Sequence, residues 1–458
     1  MTRMLARPVV AAALAACVVA GAFGTPTQAT SVRPPAFKFD DYTLPNGLRV
    51  ILVEDHSTPI VHVTFWYHVG SKDEKPGRTG FAHLFEHMMF KGSRNVQPEA
   101  HTSYIASVGG QSNAYTTEDT TVFWQTVPAQ YLPLTLWLEA DRMASLRVED
   151  STFKTEREVV KEERRQRVEN QPYGRLSEII YDTAFTTHPY KHPVIGSMAD
   201  LEAASIEDVR EFHRTYYRPD NALLVIAGDF DPAIARSLVE KEFSKVEKPT
   251  GTVPRNIPAE PARTKELRVT IEEDWPLPAV VVAYPITYDG NPDSYPLHIA
   301  AKVLSDGTSS RIYQRLVYKE RLALSAFGQA NLIEHPNLFY AVAIVAPGRT
   351  PQQVASALID EMEKLVKEPI SERELQRSKN QFARDYVLGR QTVQQKAGVL
   401  AHAVVLHKGD VATADGEFDI FQKMTAADVQ RVAKTYFTPQ SRMVLTVMPR
   451  GARPGGAQ

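Results

Sequence analysis

Apolar and polar residues alternate along the first half of the chain in a pattern that predicts strands and helices in turn. Period-two alternation predicts the strands, and apolar residues three and four apart predict amphipathic helices. The predicted strands are Leu48–Glu54, Ile60–His68, Gly110–Thr117, Thr120–Val127 and Ala222–Gly228, and the predicted helices are Gly80–Lys91, Glu99–Val108, Leu132–Leu146, Asp150–Asn170, Arg175–Phe185 and Glu207–Tyr217.

A proline-rich segment, Lys248–Ala262, separates this half from a second one in which the pattern restarts. The segment holds four prolines and few large apolar residues, which is typical of an extended linker. The strands predicted beyond it are Leu267–Ile271, Val280–Tyr284, Ala326–Leu332 and Leu338–Val345, and the helices are His298–Leu304, Ser310–Tyr318, Pro351–Val366, Glu372–Leu388 and Val393–Leu406.

One motif occurs twice, 220 residues apart, and indicates an internal duplication. It reads Asp208, Val209, Thr215, Tyr216, Tyr217 and Pro219 in the first half and Asp428, Val429, Thr435, Tyr436, Phe437 and Pro439 in the second. We therefore predict an α+β fold of two homologous domains, residues 37–247 and 263–450, joined by the linker 248–262. Each domain is expected to be a mainly antiparallel sheet packed with helices.

The candidate chemistry lies in the first predicted helix, which carries His83, Glu86 and His87 on one face. Two histidines one turn apart can bind a single Zn²⁺, and Glu86 would lie beside the metal, placed to take a proton from a bound water. The alternative is a polar helix with two ordinary histidines, although this spacing is expected by chance only about 0.04 times in such a chain. The corresponding positions of the second half, 303–307, have no histidine.

A catalytic zinc needs one more protein ligand, and the predicted helix around residues 154–170 is rich in candidates. Glutamates alternate with lysine and arginine there, so a solvated, salt-bridged surface helix is the alternative. Glu156 and Glu163, seven apart, share a face, which would let one bind the metal and the other orient a histidine, but spacing does not decide between the candidates. These candidates are Glu156, Glu158, Glu162, Glu163 and Glu169.

Charge and cysteine usage narrow the function classes. A formal net charge of −2 leaves no basic surface typical of nucleic-acid binding. Cys17 is the single cysteine, so a mature chain that lacks it has neither a disulfide nor a thiolate site. Any metal must then be held by histidine and carboxylate groups.

The N-terminus has the pattern of a signal peptide, residues 1–29. Two arginines precede an apolar run, and a small-residue cleavage site would start the mature chain at Thr30, which predicts export to the periplasm. An uncleaved anchor is one alternative. Another is a lipobox ending at Cys17, which would leave the protein anchored by a lipid.

The motif His83-x-x-Glu86-His87, followed by Glu156-Arg157-x-Val159-Val160-x-x-Glu163, resembles the pitrilysin family of inverted-motif zinc peptidases. The nearest likeness is to its short members, akin to mitochondrial processing peptidase, and it extends over nearly all of the mature chain. The resemblance implies that His83, His87 and Glu163 are zinc ligands, that Glu86 is the general base and that Glu156 orients a ligand histidine.

The segment Gly110–Thr116 resembles the edge strand on which this family lays its peptide substrate as an added strand. The resemblance implies that Asn113 and Ala114 contact substrate, which is physically reasonable because strand addition supplies main-chain hydrogen bonds whatever the peptide sequence. A hairpin strand without a ligand is the alternative.

The likeness breaks in the second half, where the family carries an Arg and a Tyr, seven apart, that hold the substrate backbone. Val317 and Leu324 stand at those positions, and neither can donate a hydrogen bond. Tyr318 and Arg321 are nearby, but ordinary core or surface roles for them are favoured. The resemblance therefore implies a heterodimer with a homologous zinc-less subunit that supplies Arg and Tyr, with a homodimer as second choice.

Together these observations predict an exported zinc metalloendopeptidase subunit. Two other functions stay open. The first is a structural or scaffolding member that has kept the fold without activity, and the second is a peptide-binding module with a structural zinc.

Overall fold

The first half of the chain forms a six-stranded sheet in the computed structural model, which describes residues 33–407 and 409–451. Strand β6 is buried along its whole length and lies in the middle of the sheet, whose order is β1-β2-β6-β3-β5-β4. The strands are β1 (Asp40–Thr43), β2 (Arg49–Glu54), β3 (Ile60–Tyr67), β4 (Gln111–Thr116), β5 (Thr121–Pro128) and β6 (Ala222–Gly228). The helices are α1 (Phe81–Met88), α2 (Ala100–Ser107), α3 (Leu132–Ser145), α4 (Asp150–Arg164), α5 (Leu176–Ala184), α6 (Met198–Ala203), α7 (Ile206–Tyr216) and α8 (Pro232–Phe243).

The second half repeats this topology with a five-stranded sheet. Its strands are β7 (Leu267–Glu273), β8 (Ala279–Ile286), β9 (Ala323–Ala330), β10 (Asn337–Val345) and β11 (Met443–Pro449). Its helices are α9 (Ser294–Ser305), α10 (Pro351–Lys367), α11 (Glu372–Leu388), α12 (Val393–Leu406), α13 (Thr413–Lys423) and α14 (Ala426–Tyr436).

The order of the second sheet, β7-β11-β8-β10-β9, reproduces β2-β6-β3-β5-β4 of the first strand for strand. In both sheets a single pair is parallel, β2 with β6 and β7 with β11, and the other neighbours are antiparallel. The duplicated motif begins the matching helices α7 and α14, which start with the same capping box, Ser205 with Asp208 and Thr425 with Asp428. The predicted α+β class with two homologous halves is confirmed.

Each sheet has its second face covered by a helix from the other half. Helix α12 packs its apolar face on Ile51, Trp66 and Val225 of the first sheet. In return, α5 packs Ile179 and Ile180 against the second sheet. The two halves therefore exchange helices, and neither could bury both faces of its sheet alone.

The elements differ from the predicted ones in a few places. Strands β1 and β11 and helices α6, α8, α13 and α14 are additional to the elements predicted one by one, and of these α14 and β11 accompany the second copy of the duplicated motif. The helix predicted over Asp150–Asn170 is α-helical only to Arg164 and continues as a π-helical turn, Arg165–Glu169. The helix predicted at Ser310–Tyr318 is instead a π-helical segment, Tyr313–Lys319. Apolar periodicity does not distinguish α from π hydrogen bonding, because the change adds only about one residue to a turn.

Residues 248–262 form neither helix nor strand. Polar contacts fasten this segment to the first half, and the neighbouring Arg263 donates a hydrogen bond to the Ala184 carbonyl (2.8 Å). Arg255 donates hydrogen bonds to the His68 carbonyl and to Asn221, and Glu260 accepts hydrogen bonds from the backbone of residues 186–188.

The expected signal peptide and Cys17 lie outside the described residues. Within the described ranges, no helix is both long and apolar enough to cross a membrane.

A buried polar network joins the two halves near the tips of their β-hairpins. The Lys72 ammonium, with its side chain fully buried, contacts Asp119 of the first half (3.1 Å) and Glu334 of the second (2.6 Å). The Tyr190 hydroxyl donates to Asp119 (2.6 Å) and accepts from the amide of His335 (3.1 Å). Tyr190 thus hydrogen-bonds to both halves at once.

We expect Tyr190→Phe to lower the free energy of unfolding by about 2 kcal/mol, because the buried Asp119 loses one hydrogen bond and keeps Lys72, while the His335 amide loses its acceptor. Urea denaturation monitored by circular dichroism measures this difference. Tyr104→Phe is the matched control, since Tyr104 is 43% exposed. Equal stability of the two variants would show that the Tyr190 contacts contribute nothing to joining the halves.

Candidate metal centre

Helix α1 carries both histidines, and a buried carboxylate fixes where it begins. Gly80 precedes the helix with a φ of 90°, and a Cβ there would lie 2.7 Å from the carbonyl oxygen of Ile195. The Glu74 carboxylate accepts hydrogen bonds from the amides of Gly80 and Ala82, both at 2.8 Å. Burial raises the pKa of Glu74 well above its usual value, and the two accepted hydrogen bonds satisfy amides at the N-terminus of α1, so Glu74 fixes where the helix begins.

The structure brings His83, His87 and Glu163 together, from α1 and the neighbouring helix α4. The Nε2 atoms of His83 and His87 lie 3.8 Å and 3.4 Å from the same oxygen, Oε2 of Glu163. The ligand atoms of the three side chains all lie within 4.8 Å of one another. The other Glu163 oxygen contacts Arg167 at 2.5 Å. Glu162, the next residue, turns away from the histidines and contacts Arg165.

A further carboxylate orients His87 from behind. Nδ1 of His87 lies 3.3 Å from Glu156, so the ring can donate a proton there while Nε2 faces Glu163. Lys91 holds the other Glu156 oxygen at 3.0 Å. His83 differs, because its Nδ1 is buried and has no hydrogen-bond partner among the described residues.

The electrostatics around the two rings differ as well. Burial, reinforced by the charge of His87, lowers the pKa of His83 to about 4. Burial also opposes protonation of His87, but its contacts with Glu156 and Glu163 outweigh burial and raise its pKa to about 9. The His87 contact lowers the pKa of Glu163. Two imidazoles and an ionised carboxylate that converge on one point fit the donor set that Zn²⁺ prefers.

Glu86 lies on the same helix and is held by the neighbouring edge strand. The Thr116 hydroxyl, on β4, donates a hydrogen bond of 2.6 Å to Oε2 of Glu86. Burial raises the pKa of Glu86 above its usual value, although the bond from Thr116 opposes that rise. A carboxylate with a raised pKa is a better proton acceptor near neutral pH.

Strand β4 forms the edge of the first sheet, and within the described residues its only paired neighbour is β5. Asn113 is exposed, Ala114 is half-buried, and the Ala114 amide donates a 2.9 Å hydrogen bond to the Asn113 side-chain oxygen. The strand therefore offers an edge beside Glu86 to which another strand can be added.

Val317 and Leu324, which stand where the family carries Arg and Tyr, lie in different surroundings. Val317 belongs to the π-helical segment and packs against the second core. Leu324 lies on β9, the edge strand of the second sheet, and is 58% exposed. Tyr318 is exposed too, and Arg321 adopts a left-handed backbone conformation.

Sequence reasoning missed several residues that support the centre, because long-range packing places them. Glu74, which fixes the start of α1, lies in a loop. Thr116, the hydrogen-bond partner of Glu86, was recognised only as part of a strand. The cations that contact Glu156 and Glu163 looked like ordinary surface charges. These residues are Glu74, Lys91, Thr116 and Arg167.

Comparison with known families covers most of the chain. Residues 49–198 match the family described as Insulinase (Peptidase family M16), and residues 203–382 match the Peptidase M16 inactive domain. The first match contains the metal-centre residues and β4, and the second contains Val317 and Leu324.

Individual relatives agree with this match. The zinc protease PqqE of Helicobacter pylori is 29% identical over 415 residues, which cover 90% of this chain and 93% of the relative. A probable mitochondrial-processing peptidase subunit beta of Arabidopsis thaliana is 25% identical over 421 residues, 89% of this chain and 78% of the relative. The crystal structure of a protease from Helicobacter pylori superposes with a TM-score of 0.86 at 29% identity, over 90% of this chain and all of that one.

Proposed function

The chain belongs to the M16 family of zinc peptidases, and from that premise we propose that it is an exported metalloendopeptidase subunit with Glu86 as general base. The observation that carries the proposal is the convergence of His83, His87 and Glu163 beside a buried Glu86. The proposed zinc ligands are those three residues, and Glu156 is proposed to fix the orientation of His87.

A bound zinc ion supplies Lewis-acid chemistry, polarising a carbonyl and lowering the pKa of water. The residues of the chain do the rest. Glu86 takes the proton of the attacking water and later delivers it to the leaving amine. Thr116 keeps one Glu86 oxygen in a fixed position, so that the other is free for the proton. The side chains of His83 and His87 are 13% and 21% exposed, which leaves the centre open to a substrate.

The proposed substrate is a peptide in an extended conformation, added to the free edge of β4. The Ala114 amide, now bonded to its neighbour Asn113, would exchange that bond for one to the peptide carbonyl. Because main-chain groups make these contacts, the site would accept many sequences, as in other cases of strand addition.

Export is proposed from the N-terminal signal-peptide pattern, with the periplasm as destination and a lipid anchor at Cys17 as the alternative.

The preferred assembly is a heterodimer with a homologous, zinc-less subunit that supplies the Arg and Tyr. Two observations support the heterodimer. The side chains of Val317 and Leu324 offer no hydrogen-bond donors, and Leu324 is exposed on the edge strand β9. A homodimer is the second choice.

A scaffolding or peptide-binding role is the competing candidate. The buried Glu86 with its dedicated Thr116 contact disfavours it, because a structural zinc needs no proton acceptor at its side.

Glu163→Gln tests the proposed ligand set against a neighbour in the same helix. We expect it to lower zinc affinity by at least about 100-fold, because the amide lacks the negative charge that holds the metal. Glu162→Gln is the matched control, since this carboxylate is 52% exposed and faces solvent, and it should leave affinity unchanged. Chelator competition measures both variants, and peptide cleavage should fall with zinc occupancy. Equal affinity losses in the two variants would remove Glu163 from the ligand set.

A further inference from the structure

A second group of metal-ligating side chains lies in the C-terminal half, which contributes none of the residues of the zinc centre. It consists of Asp289, His402 and His407, here called the Asp289 cluster, whose ligand atoms also lie within 4.8 Å of one another. Nε2 of His407 is 3.4 Å from Oδ2 of Asp289, and Nε2 of His402 is 3.8 Å from the same oxygen.

These distances reproduce those of the first centre. There, the two Nε2 atoms lie 3.4 Å and 3.8 Å from one Glu163 oxygen. In both places two imidazoles present the same ring nitrogen to one carboxylate oxygen. The chain thus contains the same arrangement of donor atoms twice, on unrelated elements.

A shared proton explains only part of this arrangement. It can join His407 to Asp289, but His402 at 3.8 Å from the same oxygen is too far for a hydrogen bond. Two protonated rings that faced one point would also repel each other. A divalent cation accepts lone pairs from both rings and the carboxylate at once.

The cluster closes a junction between two elements. Asp289 follows strand β8, His402 lies in the last turns of α12, and His407 caps the end of that helix. Helix α12 is the one that covers the first sheet. A cation here would tie the end of α12 to the loop after β8.

The cluster also has room and access. His402 and His407 line a cavity of about 460 Å³ together with Glu417, which places a second carboxylate there. Trp66 and Tyr115 of the first half line the same cavity. Asp289 and His407 are only 10% and 6% exposed in their side chains, but half of His402 is open to solvent, which provides an entry path.

We propose that Asp289, His402 and His407 form a second metal site, for a divalent transition-metal ion of which Zn²⁺ is the best match. Imidazole nitrogens with a carboxylate oxygen favour zinc over magnesium or calcium, which prefer all-oxygen sites. The site stabilises the attachment of α12, and it does not depend on the peptidase proposed above.

The experiment removes the first centre and titrates the second. In the full chain carrying His83→Ala and His87→Ala, isothermal titration with zinc chloride should show one equivalent bound, and the untouched chain should bind two. Adding His402→Ala should lower the zinc affinity of the remaining site by at least about 100-fold. Loss of a direct ligand costs more affinity than loss of a residue that only orients a ligand.

His56→Ala is the matched control. This exposed histidine also contacts two carboxylates, but through different nitrogens, Nδ1 toward Asp229 and Nε2 toward Glu54. Its replacement should leave the stoichiometry unchanged. Asp289→Asn, which preserves shape, guards against misfolding and should lose the second equivalent while circular dichroism stays the same.

Two results would overturn the proposal. One is a single equivalent in the untouched chain with none in the His83→Ala, His87→Ala variant. The other is a second equivalent that persists in both His402→Ala and Asp289→Asn. The first result would show that the Asp289 cluster binds no zinc, and the second that the extra metal binds elsewhere. Either would leave the zinc centre of the first half intact.

Discussion

Glu86→Gln is expected to lower kcat/KM for peptide cleavage by about 10²- to 10⁴-fold while the protein keeps its zinc. The amide has the shape of the carboxylate and can still contact the Thr116 hydroxyl, which now donates a 2.6 Å bond to Glu86. It cannot take up the proton of the attacking water. None of the three proposed metal ligands changes, so affinity for zinc should stay close to that of the parent chain.

The measurement pairs cleavage of a fluorogenic peptide with zinc content by atomic absorption. Glu162→Gln makes the same chemical exchange at an exposed position and should retain both activity and metal. A Glu86→Gln variant with a tenth or more of the parental turnover would exclude Glu86 as the base. Loss of zinc together with activity would instead assign Glu86 to the ligand set.

The residues of the metal centre that are close in sequence were predictable from the sequence, and those that are far apart in sequence were not predictable from spacing. The helix with His83, Glu86 and His87 follows from local spacing, since positions three and four apart share a helix face. Glu163 does not follow from spacing, because five glutamates fall in the same predicted helix. The family resemblance singled it out, and the packing of α4 against α1 is what turns it toward the histidines.

The fold was predictable to a similar depth. The duplicated motif and the two rounds of strands and helices led to the correct class and to two homologous halves. The exchange of α5 and α12 between the halves was not predicted, because an amphipathic pattern shows that a helix buries one face and not which sheet it covers.

The Asp289 cluster illustrates the same limit. His402 and His407 are five residues apart, a spacing that does not place two side chains on one helix face. They converge because α12 ends between them and the loop after β8 brings Asp289 to that end. Such a cluster depends on a break in a periodic element, so a search for periodic motifs passes over it.

Peptide turnover by the isolated chain is expected to be slow, and a homologous subunit with the missing Arg and Tyr should raise it by about 10²-fold or more. The reason is that Val317 and Leu324 stand at the positions where the family resemblance implies Arg and Tyr, so the proposed base and metal centre would lack hydrogen-bond donors for the developing oxyanion. Turnover of one peptide by the purified chain, with and without the second subunit, measures the gain.

The matched control is the same second subunit with its Arg and Tyr replaced by Val and Leu, which should still associate but give no gain in turnover.

Restoring the Arg and Tyr within this chain tests the alternative that its own second half completes the centre. Leu324→Tyr is well suited to that test because the position is exposed on an edge strand, whereas an arginine at Val317 would have to leave the core packing. If the isolated chain is fully active and no partner changes its rate, the donors are supplied by other residues of this chain, and the heterodimer is not needed for catalysis.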